Sequence, residues 1–364
     1  MKVAIDEQIF AIQRFGGISR YFAELSQQFL EHSDLGVDLF TAPTPVFNDY
    51  LIRGLHGRPA MPGSYPSTHL RSMARMMLRR RHRARIDVVH HTFYLPRFLR
   101  DFPGAKRVVT IYDMIPERFP GSFRRQDFLT SKRQFVDAAD EVICISHSTR
   151  EDMHHFLGDI RSEVRVIHLG VDADFFARQS APLATWPHEY LLFVGKRGQY
   201  KDARTLFSAF SRIKDQFAGL QLVLVGGGAL TTGEVSELGT LGIADRVTHQ
   251  NLADEQMPAA YRHAQAFVFP SRYEGFGLPA LEAMASGTPT ILCRSASLPE
   301  VGGQAAVYFE PGDVDGLAGA LQEVLGSQSV RERLRMAGLE RAREFPWYRT
   351  ADQTAAAYSD ALAS

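Results

Sequence analysis

An α/β fold built from two doubly wound, largely parallel sheets is predicted by three observations. Short apolar strand-like runs alternate with helix-spaced runs along the chain, a pattern that makes parallel sheets covered on both faces. The alternation comes in two series, separated at residues 172–188 by a lapse of periodicity that contains Pro182 and Pro187. The 364 residues exceed one typical core and suit two domains. The expected division is a first Rossmann-like domain over residues 1–180 and a second over 181–346, facing each other across a cleft. A terminal helical run over 347–364 follows. Ligands of such sheets collect outside the carboxyl ends of the strands.

The first series opens with an apolar strand at residues 3–5. The glycine loop Phe15-Gly16-Gly17-Ile18 follows. Tyr21, Phe22, Leu25 and Phe29 then recur at helical spacing. Further strands are expected at 37–40, 88–90, 107–111, 141–145 and 164–167. The stretch 41–67, rich in Pro and Gly, reads as loop. The second series places strands at 190–194, 220–225, 246–249, 266–269, 290–293 and 306–309.

The most informative stretch is 272–289, Arg-Tyr-Glu-Gly-Phe-Gly-Leu-Pro-Ala-Leu-Glu-Ala-Met-Ala-Ser-Gly-Thr-Pro. It follows the buried strand Ala266-Phe267-Val268-Phe269. Pro279 suits the first position of a helix, where its missing N–H would be unpaired anyway. The unit is therefore strand, glycine loop, helix N-terminus, which offers free backbone N–H groups and the positive end of a helix dipole to a phosphate or polar sugar. Glu274 falls in the loop and Glu282 on the helix, so both can line one mouth. Spacing alone leaves a second reading open, a solvated Glu stabilising a helix start.

Composition narrows the function. Forty-one basic residues balance 41 acidic ones, which does not favour nucleic acid as a partner. The two cysteines, Cys144 and Cys293, rule out a disulfide framework and suit a reducing compartment. Asp6 comes too early for a signal peptide, and no apolar run has the length to span a bilayer. The expectation is a cytoplasmic chain, either free in solution or peripheral at the inner face of a membrane.

With these residues in view, the chain resembles the GT-B-fold retaining glycosyltransferases of family 4, the group with a Glu-x7-Glu motif. The resemblance is densest from residue 190 to 311. It implies that Glu274 and the loop of Gly275, Phe276, Gly277 and Leu278 hold the donor sugar. It implies that Glu282 takes the ribose hydroxyls, as an ionised carboxylate accepting two hydrogen bonds can. Val194-Gly195-Lys196-Arg197-Gly198-Gln199-Tyr200-Lys201 matches the family's diphosphate clamp, with Arg197 and Lys201 as the cationic pair and Lys196 as a substitute for Arg197. Cations there would stabilise the charge that develops on the leaving group. Gly16 and Gly17 match the loop against which donor and acceptor pack.

At Tyr112-Asp113 the chain departs from the pattern, because members of the family it resembles usually carry His where Tyr112 stands. A phenol can donate a hydrogen bond but is not a cation near neutral pH. Asp113 is either a polar cleft residue or the cap of the next turn. His90 and His91 end another strand as acceptor-side candidates or as structural histidines, and Ser146 reads as a helix cap. The run from Trp347 resembles the family's last helix, which returns to the first domain.

The resemblance implies a metal-independent hexosyltransferase, with no cofactor beyond a nucleotide diphosphate sugar, acting on a polysaccharide or lipid-linked glycan. Its subgroup points to GDP-mannose. Asp172-Ala173-Asp174 reads as turn and cap rather than metal site, and Gly226-Gly227-Gly228 as a loop near the nucleotide rather than a dinucleotide fingerprint. The stretch from His69 to Arg85 holds seven arginines interleaved with methionines. It is either a helix lying on an anionic membrane or an ordinary surface helix. A sugar-nucleotide epimerase and a non-catalytic sugar-nucleotide binding subunit are the alternatives on the same scaffold.

Overall fold

The computed structural model describes residues 1–14, 16–40, 48, 86–122, 128–177, 182–183 and 186–364. The arginine-rich stretch from His69 to Arg85 lies outside the described residues. The chain divides into two compact units, Met1–Gly170 with Trp347–Ser364, and Val171–Pro346.

The sheet of the first unit has the order β2-β1-β3-β4-β5-β6. Its strands are β1 Lys2–Ile5, β2 Asp38–Phe40, β3 Val88–His91, β4 Lys106–Ile111, β5 Glu141–Cys144 and β6 Glu163–Val166, and every pairing is parallel. The second unit has the order β12-β11-β10-β7-β8-β9. There β7 is Tyr190–Val194, β8 Gln221–Val225, β9 Val247–Gln250, β10 Ala266–Phe269, β11 Thr290–Cys293 and β12 Val307–Phe309, again all parallel. Each expected strand is present, with ends moved by a residue or so. The predicted doubly wound α/β class is what the chain adopts.

The strands are legible because they are buried on both faces and read as near-continuous apolar runs. Val223, Leu224, Phe267 and Val268 are all fully buried. Helix Ala203–Ile213 shows the other period: Leu206, Phe207, Phe210 and Ile213 form one buried stripe.

Both sheets reverse direction at one place. In the first unit β1 is followed outward by β2, while β3 starts the opposite wing, so the switch lies between β1 and β3. In the second unit it lies between β7 and β10. Loops leaving the carboxyl ends of those two strands diverge to opposite faces and leave a crevice.

The chain enters the second unit at Val171, whose N–H donates to the Phe345 carbonyl at 3.0 Å, in an isolated parallel bridge with Pro346, where the chain leaves that unit. Helix Trp347–Ala363 then packs in the first unit. Its Tyr358 hydroxyl lies 2.7 Å from His90 Nδ1, and Thr110 Oγ1 lies 2.8 Å from His90 Nε2. His90 is thus a fully buried core residue with both ring nitrogens engaged. That assigns it to anchoring the terminal helix rather than to an acceptor.

Burial, reinforced by the neighbouring His91, pushes His90 down to about 3 from the usual 6.5. The fold holds it neutral while the unfolded chain protonates it. Its contribution to stability is complete above pH 6.5 and is lost progressively as pH falls towards 3. Unfolding free energies from urea titrations between pH 4 and 7 should fall less steeply with falling pH for His90→Gln than for wild type, by up to about 1.4 kcal/mol per pH unit. Equal slopes would contradict the assignment.

Candidate active site

The crevice at the β7/β10 switch brings together the residues singled out in the second unit. After β7 the chain runs through Gly195, Lys196 and Arg197 into the short turn Gln199–Lys201. Gln199 opens that turn at φ 53° and Asp202 follows it at φ 49°, left-handed conformations that non-glycine residues adopt at a cost. The strained turn aims Lys201 at the β10 loop. Its ammonium sits 2.6 Å from Glu274 Oε1, and 5.3 and 5.4 Å from the ring centres of Tyr200 and Phe269.

A second set of bonds holds the two loops in register. Arg272 Nε donates to Asp202 Oδ2 at 2.7 Å, and the Arg272 N–H donates to the Tyr200 carbonyl at 2.7 Å. Asp202 also accepts from Thr205 Oγ1 at 2.8 Å, which ties the turn to helix Ala203–Ile213. Ser297 Oγ contacts the carbonyls of Glu274 and Phe276, both at 2.8 Å, and so pins the glycine loop from behind. These supports carried no motif signal, and sequence reasoning missed them.

Gly277 caps helix Leu278–Ala285 at φ 105°. A Cβ there would fall 2.8 Å from Leu298 Cδ2, so both conformation and space require glycine. Glu282 stands on this helix, 6% exposed, and accepts from Tyr261 Oη at 2.9 Å. Tyr261 therefore aims a residue the sequence flagged, but was itself not foreseen.

The expected pair of Arg197 and Lys201 is not what the geometry assembles. Arg197 is 7% exposed. Its Nε donates to Glu234 Oε1 at 2.7 Å, its Nη1 to the Gly226 carbonyl at 2.9 Å, and its Nη2 to the carbonyls of Gly228 and Ala229 at 2.8 and 2.9 Å. The guanidinium is committed inside the protein. Lys196, next in the chain, is exposed.

In the first unit, Tyr112 is buried and donates its hydroxyl proton to the Thr92 carbonyl at 2.9 Å. Burial raises its pKa well above the usual value. Its proton is thus committed to packing the ends of β3 and β4 rather than to a donor sugar. Asp113 Oδ1 accepts from the Ile115 N–H at 3.0 Å and its carbonyl accepts from Lys132 Nζ, so it caps the following turn. Ser146 caps helix His147–Leu157 through the Thr149 N–H.

His91 and Asp6 form a buried pair at the β1/β3 switch, 2.7 Å apart, with Thr92 and Gln8 also donating to Asp6. Gly17 begins helix Gly17–Glu31, and the Gly16 carbonyl accepts from Ser19 Oγ at 3.0 Å.

Two family models match the chain. One, described as glycosyl transferases group 1, covers residues 180–341. The other, glycosyltransferase family 4, covers residues 15–175. The chain is 28% identical to an O-antigen chain mannosyltransferase B of Escherichia coli over 75% of this chain and 74% of that one. It is 32% identical to an MMP α-(1→4)-mannosyltransferase of Mycolicibacterium hassiacum over 65% of this chain and 58% of that one.

Among solved structures, a sucrose-phosphate synthase from Thermosynechococcus elongatus superposes with a TM-score of 0.74 at 22% identity, over 100% of this chain and 99% of that one. Anabaena HepE in complex with UDP and glucose gives 0.74 at 16% identity, over 99% of both chains. These likenesses establish the GT-B fold. Two family models matching in tandem, and relatives aligned across most of the chain, place it among the group 1, family 4 glycosyltransferases.

Proposed function

We propose that this glycosyltransferase moves mannose from GDP-mannose, with retention and without a metal, to a polysaccharide or lipid-linked glycan. The observation that carries the reading is the Lys201–Glu274 pair at the β7/β10 switch, with exposed Lys196 two residues beyond β7 and Glu282 on the helix behind the glycine loop. Mannose is favoured by the names of the mannosyltransferase relatives. A polysaccharide acceptor is favoured by the O-antigen relative.

In this reading Glu282 accepts the ribose hydroxyls. Lys196 and Lys201 face the diphosphate. Glu274, with the loop from Gly275 to Leu278, takes the sugar hydroxyls, and the N-terminus of helix Leu278–Ala285 adds its positive end. The acceptor oxygen bonds to the anomeric carbon on the face from which the phosphate oxygen departs, and the hydroxyl proton leaves with the diphosphate. Two lysines stabilise that growing negative charge, which is the task a metal would otherwise serve. The same reading puts the chain in the cytoplasm, where sugar nucleotides would be its substrates. Membrane contact through the stretch from His69 to Arg85 remains part of the proposal.

The test is a donor panel of GDP-mannose, UDP-glucose, UDP-N-acetylglucosamine and dTDP-rhamnose, run in EDTA with a mannoside acceptor. Products are read by NMR for sugar identity and anomeric configuration. An α-mannoside formed from GDP-mannose is the expected result. An isomerised donor, or binding with no turnover of any donor, would replace this reading with an epimerase or a binding subunit.

A further inference from the structure

Two loops at the carboxyl ends of adjacent strands β7 and β8 are stitched together by a single side chain. Gly226, Gly227 and Gly228 follow β8 at φ 79°, 74° and 79°. A Cβ on Gly227 would lie 2.8 Å from the Gly195 carbonyl oxygen and 3.1 Å from Lys196 Cα, so the loops meet backbone to backbone. Such a run of left-handed residues has few bonds of its own to hold it. Arg197 supplies them, bridging the carbonyls of Gly226, Gly228 and Ala229. His249 Nε2 lies 3.1 Å from the same Gly226 carbonyl.

The other end of the stitch is Glu234. It closes a capping box with Thr231 at the start of helix Thr232–Thr240, accepting the Thr231 N–H at 2.7 Å, and faces Arg197 Nε at 2.7 Å. Burial alone would raise its pKa, but Arg197 and Thr231 together hold the carboxyl below the usual range. With its head group fixed inward, Arg197 leaves its neighbour Lys196 exposed.

We propose that Arg197 and Glu234 form a positioning clasp that sets loops 195–198 and 226–229 against each other and thereby fixes where Lys196 meets the donor diphosphate. Arg197 itself does not touch the donor. This deepens the donor reading above and rests on it. The alternative, Arg197 as a direct diphosphate ligand, makes the opposite prediction for Glu234. Removing a carboxylate that competes for the guanidinium would then leave donor affinity unchanged or improve it. Under the clasp, the same change weakens binding.

The experiment titrates GDP and UDP, with GMP and UMP as comparisons, into wild type, R197A, R197K, E234Q and the R197A/E234Q double variant, with melting temperature as the check on folding. R197A and E234Q should each lower diphosphate affinity about tenfold, and the double variant should lose no more than either, because both remove one unit. R197K should not restore binding, since an ammonium cannot span a carboxylate and three carbonyls. Monophosphate affinity should change by less than about threefold, as the Lys196 position matters to the outer phosphate.

E234Q, nearly isosteric and only partly buried, carries the test if R197A does not fold. Binding by E234Q as tight as wild type overturns the clasp, and so does additive loss in the double variant. Equal loss for monophosphates would reduce Arg197 to a general support of the loop and also overturn it. A wild-type chain that binds none of these nucleotides overturns the donor reading, and the clasp with it.

Discussion

Replacing Lys201 with Ala should cut the transfer rate by about 10²–10³-fold, because one preorganised charge facing the leaving diphosphate is lost. Its aromatic neighbours Tyr200 and Phe269 and the strained turn at Gln199–Lys201 hold the ammonium in one place. A charge already in position needs no reorganisation as the bond breaks, and that is why its removal is felt mainly in turnover. Stability should fall as well, by about 1–3 kcal/mol, since Glu274 is left without its partner in a site where it is 8% exposed.

Glu274→Gln separates the two halves of the pair. It releases Lys201 from its carboxylate, so affinity for GDP alone should hold or rise. Transfer should nevertheless collapse, because the sugar loses its charged acceptor. Steady-state kinetics and GDP titration on the two variants check this. Parallel loss of GDP affinity in both would contradict the division of roles.

Gly277→Val should be the most damaging single change in the loop. The position sits at φ 105°, and the new branch would enter the space of Leu298, which is fully buried. Backbone strain and overpacking together should cost about 2–6 kcal/mol. The loop would also move off Ser297, whose hydroxyl holds the carbonyls of Glu274 and Phe276. Gly17→Ala is the control: a Cβ there meets nothing within 4 Å, so thermal stability should be unchanged or slightly higher. A Gly277→Val chain that melts like wild type would contradict this account of the loop.

The parts of the fold that were legible in the sequence are those where one physical demand dominates. Strands buried on both faces must be apolar throughout, and β7, β8, β10 and β11 each read so. The glycine loop before helix Leu278–Ala285 was legible because Gly277 and Pro279 answer local backbone demands. Side-chain direction was not legible. Lys196 and Arg197 are adjacent cations, and only the packed loop 226–229 and Glu234 decide which one turns inward.

His90 and His91 are a similar case. Both end β3, but Tyr358 and Thr110 claim one while Asp6 claims the other, and these partners come from 268, 20 and 85 residues away. Tyr112 reads as a donor contact from its place after β4, but its hydroxyl donates to the Thr92 carbonyl at the end of the neighbouring strand. The capping box Thr231-Thr232-Gly233-Glu234 was readable in principle. The left-handed Gln199 and Asp202 were not, since neither residue type announces that conformation.

The most direct measurement is a calorimetric titration of GDP into wild type and into a chain lacking both lysines, Lys196→Ala with Lys201→Ala, under conditions where both are folded. The doubly altered chain should bind at least about 100-fold more weakly, with the difference shrinking as salt is raised. Equal affinity in the two chains would mean that the diphosphate is held elsewhere, and the assignment of this crevice would be wrong.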